Sequence, residues 1–224
     1  MSTIVVANVT KTYKKKKEVV RALSGIDLTV DEGEFLVIKG ESGSGKSTLL
    51  SIIGGLEAPT SGQVLVNGED IPKLNDNRLS AFRGSTIGFV FQGFHLHPYL
   101  TLRQNIELPA MFAGVSLSER YKNTDSLAVF LGLGKRLSHL PSELSGGQIQ
   151  RAAILRAVYN RPSIILADEP TGNLDKKNSL AVLELLKKIN QELKATVVLA
   201  THDSLADGYA DRCLAMKDIS RHED

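Results

Sequence analysis

An α/β fold with buried central strands is predicted by three features of the sequence. Apolar runs of four to six residues recur between segments of helical period. The two purest, Ile164-Ile165-Leu166-Ala167 and Val197-Val198-Leu199-Ala200, lack the alternation of a strand with one wet face, so they read as central strands covered on both sides. Segment 176–193 carries Val182, Leu185, Leu186, Ile189 and Leu193 on one stripe, with Glu184 and Lys188 paired outside, which is a helix packed by one face.

In chain order, strands are expected at 4–9, 19–30 (with an irregularity near Ser24-Gly25), 34–39, 63–66, 87–91, 163–167, 196–200 and 212–216. The run Lys14 to Lys17 is read as the solvated cap of a hairpin between the first two. From about 93 to 144 the texture changes: no strand-like run occurs, and helical segments 101–114 and 117–131 are separated by Gly, Ser and Pro. The chain is therefore read as one domain whose core, 1–92 and 145–224, is divided by a helical insert.

Composition narrows the function classes. The 224 residues are 42% hydrophobic with 19 glycines, which excludes disordered, collagen-like and disulfide-scaffold chains. A net charge of +2 gives no basic footprint, so nucleic acid is not an expected partner. The single cysteine, Cys213, cannot form an internal disulfide and reads as a small core residue of its strand. No run approaches the roughly 18 apolar residues of a membrane span, and the chain reads as cytoplasmic.

Gly40-Glu41-Ser42-Gly43-Ser44-Gly45-Lys46-Ser47 fits G-x-x-x-x-G-K-[ST], between an apolar strand and the apolar helix 48–53 that opens at Thr48. Glycines let successive backbone N–H groups turn inward around phosphate, and the helix N-terminus adds positive potential. Lys46 is placed to reach the β- and γ-phosphates, and Ser47 to ligate Mg²⁺. A second motif, the strand 163–167 followed by Asp168-Glu169, puts two carboxylates at the edge where open α/β sheets bind ligands. Asp168 is read as the Mg²⁺ partner and Glu169 as the group that orients or deprotonates the attacking water. Third, Leu144-Ser145-Gly146-Gly147-Gln148 precedes a helical segment from about 149 to 159 and makes a second anion nest. No Asn-Lys-x-Asp stretch is present to read guanine, which favours ATP. His95 and His97 are spaced like metal ligands, but no local Cys or carboxylate joins them.

With these three motifs in order, the chain resembles the nucleotide-binding subunit of an ATP-binding-cassette (ABC) transporter over about residues 3–216. Residues 89–98 and 167–175 are similar to those of the branch that includes lipoprotein-releasing, MacB-type and FtsE ATPases. It departs from that branch at Ile149, Leu155, Arg103-Gln104-Asn105 and Lys217-Asp218-Ile219, where the final hairpin lacks its usual Gly.

The resemblance implies a RecA-like P-loop NTPase core with an antiparallel β subdomain and an inserted α-helical subdomain. It implies that Tyr13 stacks on adenine, that Gln92 is the Q-loop residue sensing the γ-phosphate or Mg²⁺, that Asp175 belongs to the D-loop and that His202 is the switch histidine. ATP and Mg²⁺ are then held by Tyr13 and residues 40–48 of one subunit and by Ser145, Gly146, Gly147, Gln148 and Asp175, with hydrolysis closing and opening a head-to-tail homodimer. The implied partner is an integral-membrane permease, with the ATPase peripheral on the cytoplasmic face of the plasma (inner) membrane. The alternative is a soluble ABC ATPase acting as an assembly factor or regulator without a permease.

Overall fold

A computed structural model of the chain describes residues 1–15 and 18–221. Among the described residues there are two sheets and six α-helices. Strands β1 (Ser2–Lys15), β2 (Glu18–Asp31), β4 (Ser61–Val66) and β5 (Glu69–Asp70) form an antiparallel sheet in the order β2-β1-β4-β5. Strands β3 (Phe35–Lys39), β6 (Ile87–Val90), β7 (Ile164–Asp168), β8 (Thr196–Thr201) and β9 (Arg212–Ala215) form a parallel sheet in the order β6-β7-β8-β3-β9.

The parallel strands show why their sequences are apolar throughout. Leu36, Ile38, Leu166 and Val198 face one core, shared with helix α1 (Lys46–Ile53) and with Ile4, Val6, Ile26 and Val64 of the antiparallel sheet. Phe35, Val37, Ile165, Ala167, Val197 and Leu199 face the other, against helices α5 (Gly146–Val158) and α6 (Lys176–Leu193). A strand with period-2 side chains between two apolar layers has no face left for polar residues. Four of the five residues of β3 and of β7 are buried, and all six of β8. Between β6 and α5 the chain is helical, with α3 (Leu102–Phe112) packed on α5 and α4 (Leu117–Phe130) packed on α3.

Several expectations are corrected. Strand β1 runs on to Lys15, because its polar half pairs with β2 as a ribbon: Lys14 lies opposite Val19 and Lys15 opposite Glu18. Lys16 and Lys17, the tip of the expected basic cap, lie outside the described residues. The irregularity near Ser24-Gly25 is present, as the register steps from Val9↔Ile26 to Lys11↔Leu23 with Gly25 at φ 64°. Helix α2 (Asp76–Ser85) and strand β5 were not anticipated; α2 buries only Phe82, so it shows no apolar stripe. Leu193, at the end of α6 where the chain leaves through left-handed Lys194, is 40% exposed rather than part of the buried stripe. Cys213 is exposed, not a core residue: β9 is an edge strand paired only with β3, and the Cys213 thiol faces Asp207 on its outer side. After β9 the chain makes a 3-10 turn at Met216–Asp218 and a single bridge, Ile26↔Ser220.

Asp211 fastens this edge. Its carboxylate accepts from the Phe35 amide at 2.8 Å and from Lys187 of α6 at 2.8 Å, and its own amide donates to the Phe35 carbonyl. Burial pushes the Asp211 carboxyl up, but Lys187 and the Phe35 amide outweigh it and hold the group below its ordinary value. A lowered carboxylate pKa contributes stability that is present above the unfolded-state value and lost as pH falls through the folded one. Asp211→Asn is therefore expected to be less stable than the parent at neutral pH. The difference in urea midpoint should close as the pH drops below the ordinary carboxylate range.

Candidate functional site

The loop 40–45 connects β3 to α1, and Gly43 and Gly45 have φ of 84° and 94°. A Cβ at Gly45 would lie 2.4 Å from the Ala22 carbonyl, so this position has neither the conformation nor the space for a side chain. Lys46, the first residue of α1, is 6% exposed, and its ammonium donates to the carbonyls of Gly40 at 2.7 Å and Glu41 at 3.0 Å. The loop thus holds its cation folded over its own backbone. The Ser44 hydroxyl is buried with no partner among the described residues.

Facing this loop is the end of β7. The Ser47 hydroxyl acts on Asp168 as a neighbour that lowers its carboxyl, and Asp168 Oδ1 is buried with no hydrogen-bond partner among the described residues. Burial pushes the Asp168 carboxyl up, the Ser47 hydroxyl opposes this, and the neighbouring Glu169 charge adds to it. A buried carboxylate oxygen without a hydrogen-bond partner, beside a serine hydroxyl, makes an all-oxygen pair suited to a hard divalent cation, so these residues fit Mg²⁺.

Glu169 leaves the strand at φ 44°, a left-handed value unusual for a residue with a side chain. Its amide donates to the Ala200 carbonyl at 2.8 Å, which fixes the turn against β8. Its carboxylate is 12% exposed and fully engaged: Thr201 Oγ1 donates to Oε2 at 3.0 Å, His202 Nδ1 lies 3.0 Å from Oε1, and Lys46 Nζ lies 3.7 Å from Oε1. His202 itself is largely exposed at the carboxyl edge of β8. Gln92 leaves β6 at the same edge; Asn173 Nδ2 donates to its carbonyl at 3.2 Å, and its amide nitrogen lies against Gly172.

Tyr13 projects from β1 beside the start of α1. Its hydroxyl donates to Glu57 at 2.5 Å, while Lys11 stands 5.0 Å from the ring centre and 3.3 Å from Glu57. Burial and the Glu57 carboxylate push the Tyr13 hydroxyl up, with Thr48 opposing them. The ring is 38% exposed, which leaves aromatic surface for a base.

Ser145, Gly146, Gly147 and Gln148 form a second cluster. Helix α5 starts at Gly146, earlier than expected, because Ser145 and Gln148 make a capping box: the Ser145 hydroxyl accepts from the Gln148 amide and the Gln148 side chain accepts from the Ser145 amide at 2.9 Å. A Cβ at Gly147 would sit 2.3 Å from Asn178 Oδ1, so only glycine lets α5 approach α6 here. Asn178 in turn is held by Asp175, which caps α6 and whose carboxyl is kept low by the Asn178 amide. Among the described residues, no hydrogen bond or ion pair joins Ser145–Gln148 or Asp175 to residues 40–48. One chain therefore brings Lys46, Glu169, Thr201 and His202 into direct contact, with Gln92 beside the turn at Gly172, while Ser145–Gln148 and Asp175 make no such bond to the P-loop among the described residues.

Sequence reasoning missed residues that hold these groups. Gln150, fully buried, donates to the Pro170 carbonyl at 2.8 Å and ties α5 to the turn after Glu169. Asn105, also fully buried, accepts from the His97 amide and donates toward the carbonyls of His97, Leu100 and Thr101, ordering the segment that follows Gln92. A polar residue on the apolar stripe of a helix was the available signal in both.

The sequence model of the family described as ABC transporter matches residues 23–172. The chain belongs to the ABC transporter family. As an ABC ATPase it is an ATP-binding subunit, and its relatives agree. It is 50% identical over 196 residues to an ABC transporter ATP-binding protein of Thermotoga maritima, covering 88% of this chain and 83% of that one. It is 43% identical over 211 residues to the macrolide export ATP-binding/permease protein MacB of Hyphomonas neptunium, covering 94% of this chain but 33% of MacB. Among solved structures it superposes on the dimeric ATP-binding cassette MJ0796 of Methanocaldococcus jannaschii, in a post-hydrolysis state bound to ADP and Pi. The TM-score is 0.89 at 44% identity, with 99% of this chain and 98% of that one covered.

The left-handed turn of this ABC ATPase at Glu169 is open to a direct test. Glu169→Gly is expected to be about 1 kcal/mol more stable than Glu169→Ala, since both lose the carboxylate but only alanine keeps a Cβ at positive φ. Urea denaturation of the two variants measures the difference.

Proposed function

We propose that the chain is the ATP-hydrolysing subunit of a MacB- or lipoprotein-releasing-type transporter, working as a head-to-tail homodimer on an integral-membrane permease. The observation that carries the dimer is the division of the site. Lys46, Glu169 and His202 meet in one cluster, while among the described residues no hydrogen bond or ion pair ties the anion nest of Ser145, Gly146 and Gly147 or the D-loop Asp175 to the P-loop. A second copy turned end to end supplies its nest to the first copy's nucleotide. The dimeric state of the MJ0796 cassette supports this reading.

In the assembled site the Tyr13 ring stacks on adenine, with Glu57 holding its hydroxyl. The polyphosphate draws Lys46 off the Gly40 and Glu41 carbonyls, and the loop amides turn to the phosphate oxygens. Ser47 and Asp168, with Gln92, hold Mg²⁺, which supplies neutralising charge to the phosphate oxygens when bound. Glu169, steered by Thr201, orients the attacking water and takes its proton. His202 donates to the γ-phosphate from the sheet edge, and Ser145 and the Gly146 and Gly147 amides of the second copy hold that phosphate from the far side. ATP thereby closes the interface, and hydrolysis reopens it.

The insert at about 93–144 is proposed as the permease-facing part. It carries the exposed apolar side chains Tyr99, Met111, Phe112 and Leu117, and no helix among the described residues is long and apolar enough to cross a membrane. MacB, of which this chain spans a third, is named as an ATP-binding and permease protein in one. In this reading the subunit sits on the cytoplasmic face of the plasma (inner) membrane, and dimer closure moves the two membrane subunits together for export, lipoprotein release or transmission of force.

Glu169→Gln with ATP and Mg²⁺ is expected to elute as a dimer on gel filtration, with turnover reduced by roughly a hundredfold or more. Monomers only, together with normal turnover, would sink the scheme. Lys46→Ala is expected to lose nucleotide binding or turnover, measured by titration with a fluorescent ATP analogue and by phosphate release; full activity would remove Lys46 from the mechanism.

A further inference from the structure

Arg156 lies on the last turn of α5, half-buried. Its guanidinium donates from Nη1 to the His95 carbonyl at 2.5 Å and from Nη2 to the Phe94 carbonyl at 2.9 Å. Phe94 and His95 are consecutive residues with φ of 59° and 50°. One left-handed residue bearing a side chain is unfavourable, and two in succession persist only where something outside the segment holds them. The planar fork of an arginine, with two parallel donors, is matched to adjacent carbonyl oxygens in a way that an ammonium is not.

The surroundings single this contact out. Burial lowers the pKa of the Arg156 guanidinium, and among the described residues no carboxylate forms an ion pair with it; the two carbonyls are what it binds. The turn begins at once after the Q-loop residue: the Phe94 amide donates to the Phe91 carbonyl at 3.3 Å, across Gln92, and the His95 amide to the Gly93 carbonyl at 2.6 Å, just after it. The His95 ring stands edge-on to Phe91, 4.9 Å between centroids. Nearer the start of the same helix, Gln150 donates to the carbonyl of Pro170, directly after Glu169. One 13-residue helix that starts at the Ser145 cap therefore grips both the turn after Glu169 and the turn after Gln92.

We infer that Arg156 is a positioning residue for ATP hydrolysis: it holds the Phe94–His95 turn in its left-handed form and so sets where Gln92 stands relative to Glu169. This rests on the role proposed above for Gln92. It goes further in giving α5 a mechanical task, because any shift of the Ser145 end on meeting nucleotide is carried by Gln150 and Arg156 to both chemical groups at once.

The test is steady-state ATPase kinetics of the full chain and four variants: Arg156→Gln, Arg156→Lys, and each combined with His95→Gly. Arg156→Gln is expected to lower kcat roughly tenfold while leaving KM for ATP within about twofold. Arg156→Lys, a point charge in place of a fork, is expected to recover part of that loss. Adding His95→Gly to Arg156→Gln is expected to bring kcat back to within about threefold of the parent, since glycine adopts positive φ without a clamp. If Arg156→Gln does not fold, the Lys pair carries the same comparison. A kcat within twofold of the parent in Arg156→Gln, a KM that rises with the fall in kcat, or no recovery on adding the glycine overturns the inference while the parent still turns over ATP. Absence of turnover in the parent overturns the proposed function itself and this inference with it.

Discussion

Strand β8 pairs with β3 on one side and β7 on the other, and the register of those two ladders places every charged group of the site. Lys39 lies opposite Thr201 and Asp168 opposite Ala200, so the P-loop, the acidic pair and His202 leave the sheet side by side at one edge. Because side chains alternate along a strand, a slip of one residue would turn Asp168 and Thr201 to the wrong faces and put polar groups into both cores. The two-sided burial of β3, β7 and β8 makes such a slip costly. The packing that stabilises the domain is in this way the same constraint that aims Glu169 at Lys46.

At that edge the chemistry depends on imbalance. Asp168 has a buried oxygen without a partner, whereas Glu169 receives Thr201, His202 and Lys46 together. Two adjacent carboxylates thus differ in surroundings, one with a buried oxygen lacking a hydrogen-bond partner among the described residues and one in contact with Thr201, His202 and Lys46, which is how neighbouring acids come to hold separate tasks. At the left-handed residue Glu169 both the amide and the carboxylate bond to β8, through the Ala200 carbonyl and the Thr201 hydroxyl.

What could be read from the sequence was what is contiguous in it. The P-loop, the strand ending in Asp168-Glu169 and the glycine-rich start of α5 are short runs whose chemistry is local, and the apolar runs of β7 and β8 announce burial on two sides. Helix α2 was illegible because its only buried residue is Phe82, and β5 because two residues show no period. The supports of the site were illegible for another reason. Glu57 on Tyr13 and Arg156 on Phe94 and His95 are pairs distant in sequence, created by packing. Cys213 misled because the residues that follow it, Leu214 to Met216, are apolar while its strand lies at a sheet edge, a fact of topology that no local window contains.

That exposed thiol has a practical consequence. It is the chain's only cysteine, so a sulfhydryl-directed spin label or fluorophore attaches once per molecule without engineering, and two assembled copies would carry a single label-to-label distance. Burial, followed by the charge of Asp207, pushes the Cys213 thiol up, so coupling chemistry that needs the thiolate will proceed faster in mildly alkaline buffer. The edge strand that misled the reading of the sequence provides a native ruler for following the association of two cassettes.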